Sequence, residues 1–428
     1  MTKPYSVLLG KAVRTIARIR GGGSALPGLF VEKIDSHFIS DVLATLPHGV
    51  VLISGTNGKT TTTKIVVELL QSQGFKVFTN KTGSNFSRGV AAALLGEIDV
   101  RGKLDADIAV LELDEAHAVH FVDKIPPQYS LLLNVMRDQL DRFGEIDHTA
   151  KLLQHIAQST TDGVVVNRDD PRLSSKKFMH DIHVPIRTFG VSADLRKHFP
   201  SDDTLYDKNL RDEDSPIESK NDDTSLVKID GSKATLYYGN KEHTITLRLN
   251  GIYNTLNAVG AVALCRMIVG DKLNESRLLE ALSSVTPAFG RGETITVNGK
   301  PCQLVLVKNP SGFRLGLQSF DLKGYATMIA INDNYADGRD MSWLWDVEFN
   351  RLQPHGVAAV TGVRAFDMAL RLQYDDVPIG HVTTDISESL AKFVEEHPDE
   401  PKRIYCTYTA MLTLRKELTK YSKVEDYR

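Results

Sequence analysis

Residues 51–63 read Val-Leu-Ile-Ser-Gly-Thr-Asn-Gly-Lys-Thr-Thr-Thr-Thr. An apolar run of strand type enters a glycine-rich turn. A Lys-Thr pair follows, and Ile65, Val66, Leu69 and Leu70 then recur at helical spacing. This is the pattern of a phosphate-binding loop between a buried strand and a helix. Gly55 and Gly58 let the backbone turn its N–H groups toward a polyphosphate. The helix N-terminus adds partial positive charge. Lys59 is expected to reach the terminal phosphates, at an exposed helix start, and Thr60 to ligate Mg²⁺. Thr56, Asn57 and Thr61 complete the expected nucleotide-binding run. One position departs from the usual motif, with Ile53 standing where another Gly is common. A plain strand-turn-helix with glycines placed for packing is the competing reading, and it leaves Lys-Thr at the helix start unexplained.

The chain has 428 residues, 25% charged and 42% hydrophobic, with net charge −3. That composition suits a globular protein of two or three domains, and the mild negative charge gives no support to a nucleic-acid partner. No segment approaches the ~20 consecutive apolar residues that span a membrane. The N-terminal stretch MTKPYSVLLGKAVRTIARIRGGGSALPG is basic and partly apolar. It lacks an uninterrupted apolar core and an A-x-A cleavage site, so it does not read as a signal peptide. A basic amphipathic segment suits an anionic membrane surface; a helix packed on the next domain is the simpler expectation. Cys265, Cys302 and Cys406 are far apart and odd in number, which reads as reduced thiols in a cytoplasm and no metal knuckle.

Strand-like runs at 50–54, 76–79, 109–113, 130–135 and 163–167 alternate with helical patterns. The fold class is therefore α/β, with a parallel sheet in the first large domain. Ligands of such sheets bind at the carboxyl ends of the strands, where the sequence places the loop after Ser54, then Glu112, Asp114, Asn134 and Asn167. Glu112, at a strand end, is positioned to hold Mg²⁺ together with Thr60, since Mg²⁺ takes hard oxygen ligands. Asp114 and Glu115 are weaker candidates, and a solvated strand-end acid is the alternative for Glu112. Asn134 is followed by Asp138 and Asp141 at helical spacing, where capping by Asp138 is an equal reading. The run Asn167-Arg168-Asp169-Asp170-Pro171 has the composition of a plain turn. A polar excursion is expected near 196–235, and antiparallel strands over 226–249 with a Gly239-Asn240 turn. Asn254 and Asn257 share a helix face, and Asn254 is also a candidate N-cap. Residues 286–292 look like a linker. A second α/β unit follows, with strands at 304–307, 326–332, 356–361 and 403–405.

The runs GTNGKTTTT (55–63), LELDE (111–115), LLLNVMRDQLDRFGE (131–145), NRDDP (167–171), GIYNTLNAVGA (251–261) and PAFGRGE (287–293) occur in an order and spacing that resemble the Mur ligase superfamily over about residues 30–428. Asp138-Gln139-Leu140-Asp141, where most of these ligases have DHLD, and the segment Asn332–Trp343 are similar to the MurT-type branch, the synthetase subunits of lipid II isoglutaminyl synthases. The resemblance implies a central ATP-binding domain over 46–293 with a C-terminal Rossmann-like α/β domain over 294–428, after an N-terminal segment over 1–45. It implies ATP and Mg²⁺ at the loop, Asn254 and Asn257 near the adenine, and Arg291 reaching a phosphate when domains close; an exposed hinge Arg is the alternative. It implies ATP-dependent amidation of lipid II at the inner face of the cytoplasmic membrane, with a GatD-type glutaminase as partner. One Asp of the C-terminal domain would then complete the partner's Cys-His-Asp triad. Asp340 is the first choice and Asp337 the second, while Trp343 and Trp345 beside them suggest an interface. An amino-acid-adding ligase of the folylpolyglutamate synthase kind, or a phosphate-loop switch, are the alternatives. Two departures stand out. The four-Cys ribbon of many relatives has no counterpart near 196–235, so zinc is not expected. The roughly 45 residues before the loop strand are too few for a UDP-recognising domain, which favours a lipid-linked substrate.

Overall fold

The computed structural model describes residues 4–19, 26–80, 86–137, 146–199, 222–249, 251–287, 291–319 and 322–422. The chain divides into two compact units. Unit 1 comprises Met1–Val135, Asp147–Arg248 and Asn254–Val285; unit 2 comprises Met136–Ile146, Leu249–Tyr253 and Thr286–Arg428.

Unit 1 is built on a sheet of nine strands: β1 (Val50–Ser54), β2 (Val77–Thr79), β3 (Ile108–Glu112), β4 (Tyr129–Leu132), β5 (Gly163–Asn167), β6 (Ile186–Val191), β7 (Thr224–Asp230), β8 (Lys233–Tyr238) and β9 (Lys241–Thr246). Their order is β2-β3-β1-β4-β5-β6-β7-β8-β9. The sheet is parallel as far as β7 and ends in an antiparallel meander. Every residue of β1, β3 and β5 is buried. Strands covered on both faces carry continuous apolar runs, which is why the sequence reads them clearly. Asn240, at φ 60°, and Gly239, at φ 57°, make the two-residue turn between β8 and β9, as the sequence predicts. Of the polar excursion expected over 196–235, residues 200–221 lie outside the described residues. Its remainder is ordered, with β7 beginning at Thr224.

Unit 2 carries β10 (Arg291–Val297), β11 (Lys300–Leu306), β12 (Ala326–Ala330), β13 (Val357–Thr361), β14 (Ile379–Thr383) and β15 (Lys402–Cys406), in the order β10-β11-β15-β12-β13-β14. Only the β10–β11 pair is antiparallel. The expected linker over 286–292 is therefore partly strand, since Arg291 opens β10. The register of β10 shifts between Arg291 and Glu293. Gly292 sits at that bulge, and glycine in a strand is read as a breaker in sequence.

The helices that bear on function are α1 (Pro4–Ile19), α2 (Leu26–Ile34), α3 (Lys59–Ser72), α4 (Ser87–Glu97), α5 (Glu115–Val122) and α6 (Ile252–Val269), then α7 (Ala365–Tyr374) and α8 (Tyr408–Leu418) in unit 2. Residues 252–272 are long and apolar enough to cross a membrane by length and composition alone, against the sequence expectation. Thr255, Leu256 and every residue from Ala258 to Cys265 are buried, so α6 is a core helix. Asn254 lies inside its first turn. The capping role expected as its alternative therefore falls away, because α6 begins two residues earlier.

Candidate active site

The loop after β1 has the backbone its glycines predict. Gly55 has φ 133° and Gly58 φ 92°, both in the region that glycine alone enters freely. Gly58 is the N-cap of α3. A Cβ on Gly58 would lie 2.6 Å from Asn257 Oδ1, and one on Gly55 would lie 3.0 Å from Asn134 N. Thr62 N donates to Gly58 O at 2.9 Å. The amides of Lys59, Thr60 and Thr61 precede that bond and belong to the helix end, where N–H groups face an incoming anion.

Asn134 fixes the loop. Thr56 N donates to Asn134 O at 3.0 Å. Asn57 N donates to Asn134 Oδ1 at 2.9 Å, and Asn134 Nδ2 donates to Asn57 O at 3.0 Å. The amides of Thr56 and Asn57, two residues of the expected nucleotide-binding run, are thus turned to β4's exit. Val135 N donates to Asp170 Oδ2 at 2.6 Å, and Asn167 Nδ2 to Leu133 O at 3.0 Å. Asp170 also accepts from the amides of Arg172 and Leu173; burial pushes its carboxyl up to about 6 against those bonds. Arg168 donates to Ser225 Oγ at 2.9 Å and Val191 O at 3.2 Å. The 167–171 turn is accordingly a brace under Asn134.

Lys59 is buried, not exposed as the sequence suggested. Its Nζ donates to Gly55 O at 2.6 Å and reaches Glu115 Oε2 at 3.2 Å. Lys59 is 6% exposed and Glu115 1%. Glu115, ranked as a weak candidate in the sequence, is the acid that holds the loop lysine. The remaining signal for it was its place at the first turn of a helix that follows a strand end. Thr60 Oγ1 donates to Glu112 Oε1 at 2.9 Å. Asn80, which the sequence gave no reason to single out, locks Glu112 in place. Its Nδ2 donates to Glu112 O at 2.8 Å, and Glu112 N donates to Asn80 Oδ1 at 3.0 Å.

A hydroxyl and a carboxylate in contact at the end of the loop are a donor set that fits Mg²⁺. This ion keeps several waters and needs only one or two protein oxygens beside phosphates. Among the described residues, no group of three or more His, Cys, Asp or Glu stands together as a metal cage. Asn257 lies against Gly58, and its Nδ2 is 3.5 Å from Asn254 Oδ1. The side chain of Arg291, and Asp138 and Asp141, lie outside the described residues.

In unit 2 the two aspartate candidates differ sharply. Asp337 is buried. Its Oδ1 accepts from Thr409 N at 2.7 Å, and its Oδ2 from Thr409 Oγ1 at 2.5 Å and Asn334 N at 3.1 Å. Burial pushes its carboxyl above the ordinary value, opposed by those hydrogen bonds. It clasps the N-terminus of α8, where a carboxylate is favoured. Asp340 is half-buried, with Oδ1 accepting from Ser342 N at 2.8 Å. Trp343 is buried in the core with Phe313 and Phe349, so its expected interface role gives way to packing. Trp345 is exposed.

A largely parallel nine-stranded sheet with a glycine-rich loop after β1 is the arrangement of a Mur-class ligase. Two family models match: Mur ligase middle domain over residues 53–265 and MurT ligase C-terminal over residues 306–411. The MurT subunit of the lipid II isoglutaminyl synthase of Streptococcus pneumoniae is 32% identical, over 96% of this chain and 96% of that one. The corresponding Staphylococcus aureus subunit is 28% identical over 91% and 92%. The chain belongs to the MurT family of Mur ligases. MurF of Thermotoga maritima, solved in complex with ADP, has the same fold, with a TM-score of 0.65 at 17% identity over 91% of this chain and 84% of that one.

Two outcomes follow from this geometry. Lys59→Ala leaves Glu115 as a buried carboxylate without its cation, which should cost about 3 kcal/mol. Adding Glu115→Gln should restore most of that stability in thermal denaturation, while both proteins stay at least ~100-fold slower in turnover. A single variant as stable as the parent would show that the pair is not coupled. Separately, Asp337→Asn should destabilise unit 2 by about 1–3 kcal/mol, because one of its acceptors becomes a donor facing donors. Asp340→Asn should stay within about 0.5 kcal/mol. Equal melting curves for these two variants would contradict the clasp.

Proposed function

We propose that this chain is the ATP-dependent synthetase subunit of a lipid II isoglutaminyl synthase and converts the D-glutamate α-carboxylate of lipid II to the amide of D-isoglutamine. The observation that carries the reading is the end-to-end match to the pneumococcal subunit of that name. A free carboxylate is a poor electrophile. In this proposal one carboxylate oxygen attacks the γ-phosphorus of ATP, ADP leaves, and an acyl phosphate forms. Ammonia then attacks the acyl carbon, and phosphate departs with that oxygen.

Phosphoryl transfer of this kind depends on positioning and charge neutralisation. Lys59 exchanges Glu115 for the terminal phosphates, and the amides of Lys59, Thr60 and Thr61 receive phosphate oxygens at the α3 N-terminus. Thr60 and Glu112 hold Mg²⁺, which would neutralise phosphate charge. Gly55, Thr56, Asn57 and Gly58 shape the loop, Asn254 and Asn257 approach the adenine, and Arg291 supplies a further cation.

The ammonia comes from a second subunit, a GatD-type glutaminase. Burial pushes the Cys265 and Cys302 thiols up to about 12 and raises Cys406 as well; none is poised as the thiolate a glutaminase nucleophile needs. Asp340 orients the partner's catalytic His. The outward face of α7 supports a protein partner: Phe366, Leu370 and Tyr374 are exposed one turn apart, and Trp345 meets Tyr374 edge-on at 5.1 Å. Exposed aromatics of this kind anchor protein interfaces. The site of action is the cytoplasmic face of the membrane that holds lipid II.

Mass spectrometry of lipid II incubated with this chain, a GatD-type partner, ATP and glutamine should show a loss of about 1 Da, OH replaced by NH₂; ADP release with unchanged lipid II would refute the reading. Glu112→Gln should lower turnover by at least ~100-fold and raise the Mg²⁺ concentration for half-maximal rate, and an unaltered Mg²⁺ titration would remove Glu112 from the metal. Asp340→Asn should reduce glutamine-dependent amidation by up to ~10⁴-fold, with ammonium chloride restoring product. A defect that ammonium chloride does not relieve would rule out the triad role.

A further inference from the structure

Helix α1 presents apolar side chains on two opposite faces. Inward, Val7 is fully buried. Gly10 packs so closely that a Cβ there would lie 2.5 Å from Val31 Cγ2 and 2.7 Å from Leu95 Cδ2. Lys11 Nζ donates to Ile98 O at 2.6 Å, at the C-terminus of α4, where a cation is favoured. Beneath it, Gly28 brings α2 against α4, where a Cβ would fall 1.9 Å from Arg88 O. These contacts seat α1 on its neighbours, as the simpler sequence expectation held. They also fix which residues look outward.

The outward residues described on α1 are Leu8, Leu9, Ala12, Thr15 and Ile16. Leu8, Leu9 and Ile16 are 58%, 46% and 52% exposed. On α2, Leu26 and Phe30, one turn apart, are exposed as well. Lys11 and Arg14 lie on the packed side, so the more apolar face of α1 is the outward one, the reverse of a surface helix that turns its apolar stripe to the core. The surrounding charge is equally unusual. Residues 1–34 contain Lys3, Lys11, Arg14, Arg18, Arg20 and Lys33 against a single acid, Glu32, in a chain whose net charge is −3. Aliphatic side chains flanked by basic residues are the composition of a helix lying in a lipid interface. Protein interfaces favour aromatics and deplete lysine, as the α7 face of unit 2 does.

We propose that the outer face of α1 and α2, within this basic segment, seats unit 1 on an anionic phospholipid bilayer. The leucines and Ile16 enter the acyl boundary, and the net positive charge of the segment draws it to the anionic headgroups. The inference rests on the lipid-linked substrate proposed above, and it gives the chain a way to meet that substrate at a surface.

The test is co-sedimentation of the full chain, with its partner subunit, on vesicles containing about 30% phosphatidylglycerol in phosphatidylcholine. Binding is expected, falling at least ~10-fold on pure phosphatidylcholine or in roughly 0.5 M salt. The triple substitution Leu8→Ser, Leu9→Ser, Ile16→Ser should lower partition by a similar factor. It should leave the melting temperature and the amidation of a lipid-free substrate analogue unchanged, and raise the apparent KM for lipid II in vesicles. Leu26→Ser with Phe30→Ser is the second variant, expected to act in the same direction. The inference is overturned if the parent does not bind the anionic vesicles, if both variants bind like the parent, or if the variants release the partner subunit, which would make this face a protein interface. Vesicle binding is read without lipid II, so a failed amidation reading and a failed membrane contact give different results.

Discussion

Asn134 satisfies both backbone polar groups of Asn57 and, through its own carbonyl, the amide of Thr56. That small set of bonds ties the loop after β1 to the exit of β4. Much of the candidate active site depends on it. With the loop held from below, Gly58 takes the left-handed conformation that caps α3, and Lys59 and Thr60 leave the helix start in opposite roles. Lys59 turns toward Glu115, and Thr60 toward Glu112. The brace of Asn167 and Asp170 under residues 133–135 extends the same logic to β5. A buried backbone must place every N–H and C=O, and here the placement also shapes the loop proposed to cradle phosphate.

The loop was legible because its parts are unusual and adjacent. A fully buried strand has a continuous apolar run, and Gly-x-x-Gly-Lys-Thr has few other uses. The Thr60–Glu112 pair was legible as chemistry, since a hard cation needs such oxygens. Glu115 and Asn80 were not legible as partners, because they come from sites distant in sequence and acquire their roles only when β2 and β3 lie beside β1. Local disguise explains two of the missed strands: β10 begins with Arg-Gly, and β6 contains Gly190, whose missing Cβ makes room for Asp169. Trp343 and Trp345 look alike in sequence. Only the packing separates a core ring from a surface one, and the same holds for Asp337 and Asp340.

The two units expose different kinds of apolar surface. The exposed face of α7 in unit 2 is aromatic, with Arg371 over the ring of Trp345, and suits a protein partner. The exposed face of α1 in unit 1 is aliphatic and lies in a basic segment. Electrostatics and side-chain type thus assign different neighbours to surfaces that hydropathy alone would treat as equal. The proposed activity, on a lipid-linked carboxylate with ammonia made by a partner, would use both kinds of contact.

The central claim is that the carboxylate is activated by direct phosphorylation before it meets ammonia. Lipid II labelled with ¹⁸O in the D-glutamate α-carboxylate tests this most directly. An acyl phosphate requires that one labelled oxygen leave with inorganic phosphate for each amide formed. Phosphate carrying that label, in step with product, is the predicted result. Unlabelled phosphate alongside amidated lipid II would contradict the account.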